Sequence, residues 1–188
     1  METNKKYHII YADPPWEYKD KASAGKRGAC FKYPVMNIEQ IKKLQIQQIA
    51  DKDCILFLWI TMPKLNEVFE VIKSWGFEYK TCAFCWIKQS KNGKEFMGMG
   101  RWTRANAELC LLLCLLATKG NPKRINASIR QLIQSPVREH SRKPDEVRDK
   151  IVQLVGDLPR IELFAREKVE GWDCWGNEVP VDIQHILK

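Results

Sequence analysis

The length, composition and charge of this chain exclude several classes of protein. With 188 residues and 45% apolar content, it has the size and composition of one globular domain, so we expect a single domain over residues 1–188. The apolar runs are too short for a membrane helix and the N-terminus lacks an apolar signal core, which predicts a cytoplasmic protein without a membrane partner. The net charge of +8 favours a polyanionic partner, and the odd count of seven cysteines argues for reduced thiols.

The pattern of apolar residues predicts alternating strands and helices. Strands are expected at 7–12, 54–60, 79–88, 107–117, 129–134 and 160–165. A first helix begins after the N-cap Asn37, a second spans about 63–75, and a third starts at Pro144 and ends at Gly156. This alternation predicts an α/β fold, with a mostly parallel twisted sheet and helices on both faces. Ligands of such sheets bind beyond the carboxyl ends of the strands.

The most informative segment, Asp13-Pro14-Pro15-Trp16, follows the first predicted strand. The prolines donate no backbone N–H and have a fixed φ, so they offer carbonyl oxygens at set angles beside a carboxylate and an indole. Such a notch suits a planar ring with an exocyclic amine, as in adenine, because acceptors bind both amine hydrogens while the ring lies on the indole. Catalysis then consists mainly of holding an electrophile about 3–3.5 Å from the amine nitrogen. The alternative is an Asp-Pro turn with Trp16 in the core.

The motif Tyr-Ala-Asp-Pro-Pro-Trp resembles the active-site motif of adenine-N6 methyltransferases, and more narrowly that of the MT-A70 family. This family comprises eukaryotic mRNA adenosine methyltransferases and their bacterial and phage DNA-methylating relatives. Further segments match the family in the same order, at 56–59, 119–122, 142–146, 161–166 and 176–177. The resemblance covers nearly the whole chain. It implies a Rossmann-like fold that uses S-adenosylmethionine, with Asp13, Pro14, Pro15 and Trp16 as the catalytic motif.

The cofactor half is expected C-terminal to this motif, which is the permuted order of the resembled family. The twelve residues before Asp13 are too few for a cofactor-binding βα unit. Carried over by position, the resemblance implies that Asp13 contacts both the amino-acid part of the cofactor and the target amine. Lys143 resembles the lysine that reaches the cofactor carboxylate. The other cofactor residues implied, towards the ribose and adenosine, are Phe164, Arg166, Asn177 and Glu178, the last of which is a glutamine in some relatives.

Three groups of basic residues in predicted loops suit phosphate contacts around an extruded base. They are Lys19, Lys21, Lys26 and Arg27; Lys88, Lys91, Lys94, Arg101 and Arg104; and Lys123, Arg124, Arg130, Arg138, Arg142 and Lys143. The residues that match substrate-binding positions of the resembled family are Trp16, Tyr33, Lys88, Arg101, Arg104 and Glu108.

The sequence predicts no metal site. Cys82 and Cys85 form a lone CxxC, and a zinc site normally needs a second pair of ligands. In the predicted strand 79–88, a spacing of three residues puts the two thiols on opposite faces, which favours buried thiols over a metal or redox role.

The hypothesis from the sequence is a site-specific DNA adenine methyltransferase that makes N6-methyladenine. RNA adenosine methylation is the alternative; DNA is favoured because the chain is a minimal catalytic domain, without the appended regions of the mRNA-modifying relatives. A non-catalytic nucleic-acid-binding subunit is the third hypothesis. It is disfavoured because the residues that a degenerate subunit would lose, including Asp13, Lys143 and Arg166, are present. The resemblance also implies a homodimer.

Overall fold

One seven-stranded sheet organises the residues that the computed structural model describes, namely 5–17, 35–90, 92–93, 111–138, 142–180 and 182–183. The strands are β1 Tyr7–Ala12, β2 Ala50–Ile60, β3 Glu78–Gln89, β4 Leu111–Lys119, β5 Leu132–Pro136, β6 Arg160–Leu163 and β7 Asp173–Trp175. Their order in the sheet is β5-β3-β4-β2-β1-β6-β7. Within this sheet β4 is antiparallel to both neighbours, and all other pairs are parallel. The expected mostly parallel sheet is confirmed.

Three α-helices in the described part of the chain accompany the sheet: α1 Ile38–Lys42, α2 Leu65–Ser74 and α3 Glu146–Val155. α1 begins with a capping box, in which Asn37 and Gln40 each accept a side-chain hydrogen bond from the other's backbone N–H. α2 ends just before Gly76, whose φ of +80° favours glycine. All three predicted helices are confirmed. Among the described residues, no helix has the length and apolarity needed to cross a membrane.

The two faces of the sheet carry separate hydrophobic cores because side chains alternate along each strand. Ile10 and Ala12 of β1 pack into the core that contains α1 and α2. Ile9 and Tyr11 face the opposite way, into the core that contains α3. The helices therefore cover both faces, as expected from the sequence. β1 is buried on both sides and is therefore held rigidly. Asp13 directly follows this strand, so its backbone position is well fixed.

Some boundaries differ from those that the sequence predicts. β2 begins at Ala50 rather than at residue 54, because Ala50 pairs with Tyr7 of β1 ahead of an irregularity in the register that contains the polar residues 51–53. β6 ends at Leu163, since Phe164 turns away from the strand with a positive φ. The sequence pattern misses β7 because three residues are too few to show an alternation. Of the predicted strand 107–117, residues 107–110 lie outside the described residues.

The expectation that Cys82 and Cys85 lie on opposite faces of β3 is wrong. β3 has an irregularity between Cys82 and Phe84, which shifts its register against β4. Consequently Cys82 pairs with Leu115 and Cys85 with Leu113, and both leucines pack on the core of α1 and α2. Paired residues point to the same face, so both cysteines do too. Burial raises the pKa of Cys82 to about 11, and the described residues contain no group of three or more metal-ligating side chains.

Candidate active site

The carboxyl ends of β1, β6 and β7 meet at one edge of the sheet, where a charged pocket lies. Asp13 follows β1, Phe164 follows β6 and Gly176 follows β7. The Asp13 N–H donates to the Leu163 carbonyl at 3.4 Å, which extends the pairing of β1 with β6 into the site. This is the edge at which α/β sheets bind ligands. The pocket is lined by Tyr11, Asp13, Arg142, Lys143, Arg148, Glu162, Phe164, Arg166 and Glu167.

Asp13 and Lys143, which are 130 positions apart, form an ion pair in this pocket. Lys143 Nζ lies 2.6 Å from Asp13 Oδ2, and the two side chains are 12% and 23% exposed respectively. The ammonium also lies over the Trp59 ring, 5.6 Å from its centroid. Because the pair is partly shielded from water, its attraction is stronger than that of a surface pair. The site thus offers a cation and a hydrogen-bond acceptor side by side.

The two prolines of the motif are fixed by backbone hydrogen bonds. The Trp16 N–H donates to the Pro14 carbonyl at 2.8 Å, and the Met36 N–H donates to the Pro15 carbonyl at 2.8 Å. The Glu17 N–H donates in turn to the Met36 carbonyl at 2.9 Å. A carbonyl oxygen has two lone pairs, so the Pro14 carbonyl retains one with which to accept a hydrogen bond from a ligand.

Trp16 packs into the core of α1 and α2 and is only 6% exposed. Its indole N–H donates to the Trp59 backbone carbonyl at 2.9 Å. This packing agrees with the alternative in which Trp16 belongs to the core. Stacking of a base on Trp16 stays a prediction.

Phe164 has a φ of +62°, and among the described residues it is the only non-glycine residue with a positive φ. An aromatic residue in the left-handed region is strained, and such strain is concentrated at functional sites. The Phe164 ring packs edge-to-face on Trp175, with the centroids 5.3 Å apart. The turn therefore directs the chain after β6 across the pocket, where Phe164 and Arg166 form part of the wall.

A network of arginines and carboxylates surrounds the Lys143 side of the pocket. Arg148 binds Glu162 in a bidentate manner, with distances of 2.7 and 3.0 Å, and both side chains are about nine-tenths buried. Burial raises the pKa of Glu162, although the Arg148 guanidinium opposes that rise. Arg138 lies 2.5 Å from Asp145 and lowers the pKa of Asp145 to about 2. Arg142 binds both Asp145 and Glu167.

Gly176 allows the loops after β6 and β7 to approach each other closely. A Cβ at this position would lie 2.2 Å from the Ala165 carbonyl oxygen and 2.8 Å from the Ala165 nitrogen. The Ala165 N–H donates to the Trp175 carbonyl at 3.0 Å, which holds the two loops together. The glycine therefore sets the position of Asn177 and Glu178, which are exposed beside the pocket but do not line it.

The structure brings together four of the residues predicted to bind the cofactor, since Asp13, Lys143, Phe164 and Arg166 line one pocket. Lys88, predicted to bind the substrate, lies near the carboxyl end of β3 with its ammonium 5.4 Å from the centroid of the Trp86 ring. Four further residues predicted to bind the substrate lie outside the described residues; they are Tyr33, Arg101, Arg104 and Glu108.

The expectation that Lys123 and Arg124 contact the nucleic acid around the same base as Asp13 is wrong. β4 runs antiparallel to β2, so it ends at the opposite edge of the sheet from Asp13. The segment that follows is fixed at that edge, where the Asn121 N–H donates to Asp53 Oδ1 at 2.7 Å. The sequence pattern places strands but does not give the direction of β4, which decides where its following loop lies.

Sequence reasoning misses Tyr11, Arg148, Glu162 and Glu167 as residues of the pocket. Glu162 carries a usable signal, because a carboxylate inside an apolar strand is rarely buried without a partner. The Tyr11 hydroxyl accepts a hydrogen bond from Trp59 Nε1 at 2.7 Å, and burial raises the pKa of Tyr11 well above its usual value. Nothing in the sequence distinguishes Arg148 from a solvated helix residue.

The sheet order and the helices on both faces define a Rossmann-like α/β protein, with a charged pocket at the edge where such sheets bind ligands. Residues 7–178 match the model of the MT-A70 family. The chain therefore belongs to the MT-A70 family of methyltransferases, and the family expected from the sequence is confirmed. Methyltransferases of this kind generally use S-adenosylmethionine.

Relatives of the chain include bacterial and animal methyltransferases. The chain is 38% identical over 194 residues to the type II methyltransferase M.MunI of Mycoplasma sp, an alignment that covers 94% of this chain and 79% of that protein. It is 29% identical over 187 residues to the Homo sapiens N(6)-adenosine-methyltransferase catalytic subunit METTL3, covering 97% of this chain and 29% of that protein. It is 28% identical over 199 residues to the Mus musculus N(6)-adenine-specific methyltransferase METTL4, covering 99% of this chain and 40% of that protein. The chain thus spans most of M.MunI but less than half of the other two.

Proposed function

We propose that the chain is a site-specific adenine methyltransferase that transfers a methyl group from S-adenosylmethionine to the exocyclic N6 amine of adenine in DNA. The observation that carries this proposal is the contact between Asp13 and Lys143 in the pocket at the carboxyl edge of the sheet. Membership of the family and the identity to M.MunI support methyl transfer. The names of METTL3 and METTL4 support the N6 amine as the acceptor.

The donor set of the pocket fits S-adenosylmethionine, which when bound supplies an electrophilic methyl group. The amino-acid part of this cofactor carries an ammonium and a carboxylate, which match Asp13 and Lys143. Its ribose carries two hydroxyls, for which Arg166 is a suitable donor. The exposed Asn177 and Glu178, on the loop beside the pocket, offer further polar groups for the adenosine end. Phe164 contributes an apolar wall.

The motif residues act on the amine of the target base. Delocalisation of the amine lone pair into the adenine ring makes this nitrogen a poor nucleophile. The Asp13 carboxylate and the free lone pair of the Pro14 carbonyl accept the two amine hydrogens, which favours a pyramidal nitrogen with its lone pair out of the ring plane. Pro15 and Trp16 hold these acceptors in place through their hydrogen bonds to Met36 and Trp59. Orientation of this kind accounts for a large part of catalysis in group transfer.

The base reaches this site by extrusion from a duplex or from a single strand. Lys88 belongs to the proposed phosphate contacts, because it lies near the carboxyl end of β3, at the same edge as Asp13. The proposal also keeps the contacts that the family resemblance assigns to Tyr33, Arg101, Arg104 and Glu108.

DNA is proposed rather than RNA because the chain is more similar to M.MunI, at 38% identity, than to METTL3, at 29%. The identity to METTL3, named an N(6)-adenosine-methyltransferase, keeps RNA as the alternative substrate. The proposal includes a homodimer, which sedimentation of the purified chain would detect.

Incorporation of tritiated methyl groups into DNA and RNA oligonucleotides of matched sequence tests the proposal. We expect label in adenine-containing DNA and none in DNA in which every adenine is replaced. Label in RNA alone would contradict the choice of DNA. Calorimetry separates the third hypothesis, because a non-catalytic subunit with a degenerate site gives no heat with S-adenosylmethionine.

A further inference from the structure

Arg148, on the first turn of α3, has three of its five N–H groups hydrogen-bonded to carboxylates. Its Nε and Nη2 donate to Glu162 at 2.7 and 3.0 Å, and its Nη1 donates to Asp145 at 3.1 Å and lies 3.5 Å from Glu167. A guanidinium has five N–H groups. Although Arg148 lines the pocket, each of these hydrogen bonds is made to a carboxylate of the protein itself.

Glu162 connects Arg148 to the strand that positions Asp13. Tyr11 of β1 pairs with Glu162 of β6, and two residues further along the chain, just after β1, the Asp13 N–H donates to the Leu163 carbonyl at 3.4 Å. The parallel pairing of the two buried strands therefore fixes Glu162 relative to Asp13.

Asp145 connects Arg148 to Lys143. Asp145 occupies the N-cap position of α3, but its side chain makes no capping hydrogen bond. Instead it binds Arg138 at 2.5 Å, and Arg138 also donates to the backbone carbonyl of Lys143. The backbone of Lys143 is thus tied to Arg148 through three charge-assisted contacts, from Lys143 to Arg138, from Arg138 to Asp145 and from Asp145 to Arg148. Charge-assisted hydrogen bonds are the stronger kind.

These connections close a ring. It runs from Asp13 through the paired strands β1 and β6 to Glu162, then through Arg148, Asp145 and Arg138 to the backbone of Lys143, whose ammonium returns to Asp13. We propose that Arg148 is a positioning residue of the methyl-transfer site, which sets where the Lys143 ammonium stands relative to the Asp13 carboxylate. This inference rests on the proposed function. It predicts that Arg148 affects cofactor binding through Lys143 and not by contact of its own.

A double-mutant cycle between Arg148 and Lys143 tests the proposal with the dissociation constant of S-adenosylmethionine, measured by calorimetry. Arg148→Gln and Lys143→Met should each raise the Kd, the former by roughly tenfold, as expected for groups coupled in one network. The double variant should bind no more weakly than Lys143→Met alone. Arg148→Lys keeps the positive charge but loses the planar guanidinium that binds a carboxylate in a bidentate manner. Its Kd should therefore lie between those of wild type and Arg148→Gln.

The matched control is Lys150→Gln, which breaks the ion pair of Lys150 with Glu146 on the same helix but away from the pocket lining. It should leave the Kd unchanged, and urea unfolding of every variant checks that the protein is folded. Independent, multiplied effects of Arg148→Gln and Lys143→Met on the Kd would overturn the proposal, as would an unchanged Kd in Arg148→Gln.

A second readout needs no ligand and separates this proposal from the proposed function. The coupling free energy between Asp13 and Lys143 is obtained from urea unfolding of Asp13→Asn, Lys143→Met and the double variant. We expect this coupling to disappear in the Arg148→Gln background. If it persists there, positioning by Arg148 is contradicted even when the wild-type protein methylates DNA. If wild type fails to bind S-adenosylmethionine but the coupling disappears, the proposed function fails and the positioning stands.

Discussion

The indole N–H of Trp16 donates to the backbone carbonyl of Trp59 at 2.9 Å, so the last residue of the motif is anchored to the end of the central strand β2. Trp16 is 6% exposed, and Trp59 is fully buried beneath the Lys143 ammonium. One hydrogen bond therefore connects the turn that carries Pro14 and Pro15 to the backbone of Trp59, the residue whose ring lies beneath the Lys143 ammonium. Stability and catalysis are both expected to depend on it.

Replacement of Trp16 by phenylalanine tests this connection. Trp16→Phe keeps an aromatic ring but leaves the Trp59 carbonyl without its donor, which should lower the free energy of unfolding by about 1–3 kcal/mol. Trp75→Phe is the matched control, because Trp75 Nε1 donates to the Ile41 carbonyl at 2.9 Å in the same core. Urea unfolding should show a similar loss of unfolding free energy in both variants, whereas the rate of methyl transfer should fall only in Trp16→Phe. Equal activity of the two variants would contradict the anchoring role.

The strained conformation of Phe164 predicts a separation of stability from ligand binding. Phe164→Gly removes the ring, but it also relieves the backbone strain of a φ of +62°. The free energy of unfolding should therefore fall by less than the ~3–5 kcal/mol usual for Phe→Ala in a core. Calorimetry should nevertheless show weaker binding of S-adenosylmethionine, because the pocket loses an apolar wall. An unchanged Kd would remove Phe164 from the set of cofactor residues.

Gly176→Ala should displace the loop that carries Asn177 and Glu178. The new Cβ would lie 2.2 Å from the Ala165 carbonyl oxygen, an overlap that a backbone shift must relieve at a cost of about 1–3 kcal/mol. Gly76→Ala is the control for loss of stability without backbone overlap, since its φ of +80° is unsuited to alanine but its Cβ would meet nothing closer than 3.6 Å. Thermal unfolding should show a lowered Tm in both variants, and only Gly176→Ala should raise the Kd for S-adenosylmethionine.

The buried Glu162 predicts a pH-dependent effect of Arg148→Gln. Burial raises the pKa of Glu162 above its usual 4.5, and the negative charges of Asp13 and Glu167 raise it further. Arg148 is the main group that opposes this rise. Without Arg148 the pKa of Glu162 rises further, so the folded state binds the proton more tightly than the unfolded state. Stability is then lost as the pH increases above about 4.5.

The measurement is urea unfolding of wild type and Arg148→Gln between pH 4.5 and pH 8. The free energy of unfolding of Arg148→Gln should be only slightly below that of wild type at the acid end, and this deficit should grow as the pH rises. Adding Glu162→Gln should remove the pH dependence of the deficit. A deficit that is constant across this range would show that Glu162 does not become a buried unpaired charge.

The sequence predicts the parts of the fold that depend on local pattern. The N-cap Asn37 of α1, the apolar stripe of α2 and the buried run of β1 are each predicted from the local sequence. The face of Cys85 does not, because an irregularity in β3 moves the register by one residue. The direction of β4 is likewise decided by its partners, and it removes Lys123 and Arg124 from the site.

The candidate site is predicted in the same uneven way. The resemblance finds Asp13 and Lys143 because they stand in family motifs, and the structure brings them within 2.6 Å. Arg148 escapes the sequence because its importance lies in partners on other elements, above all Glu162 on β6. Residues that act through long-range ion pairs carry no local signature.

The most direct test of the central claim is the identity of the base that the protein modifies. Double-stranded DNA is incubated with S-adenosylmethionine and either wild type, Asp13→Asn or the control Asp157→Asn, whose side chain is 83% exposed and precedes β6 at the far edge of the sheet. Nucleosides from the digested DNA are then measured by mass spectrometry. We expect N6-methyldeoxyadenosine with wild type and Asp157→Asn, and at least ~100-fold less with Asp13→Asn. A product methylated at another atom, or an undiminished yield from Asp13→Asn, would contradict the account.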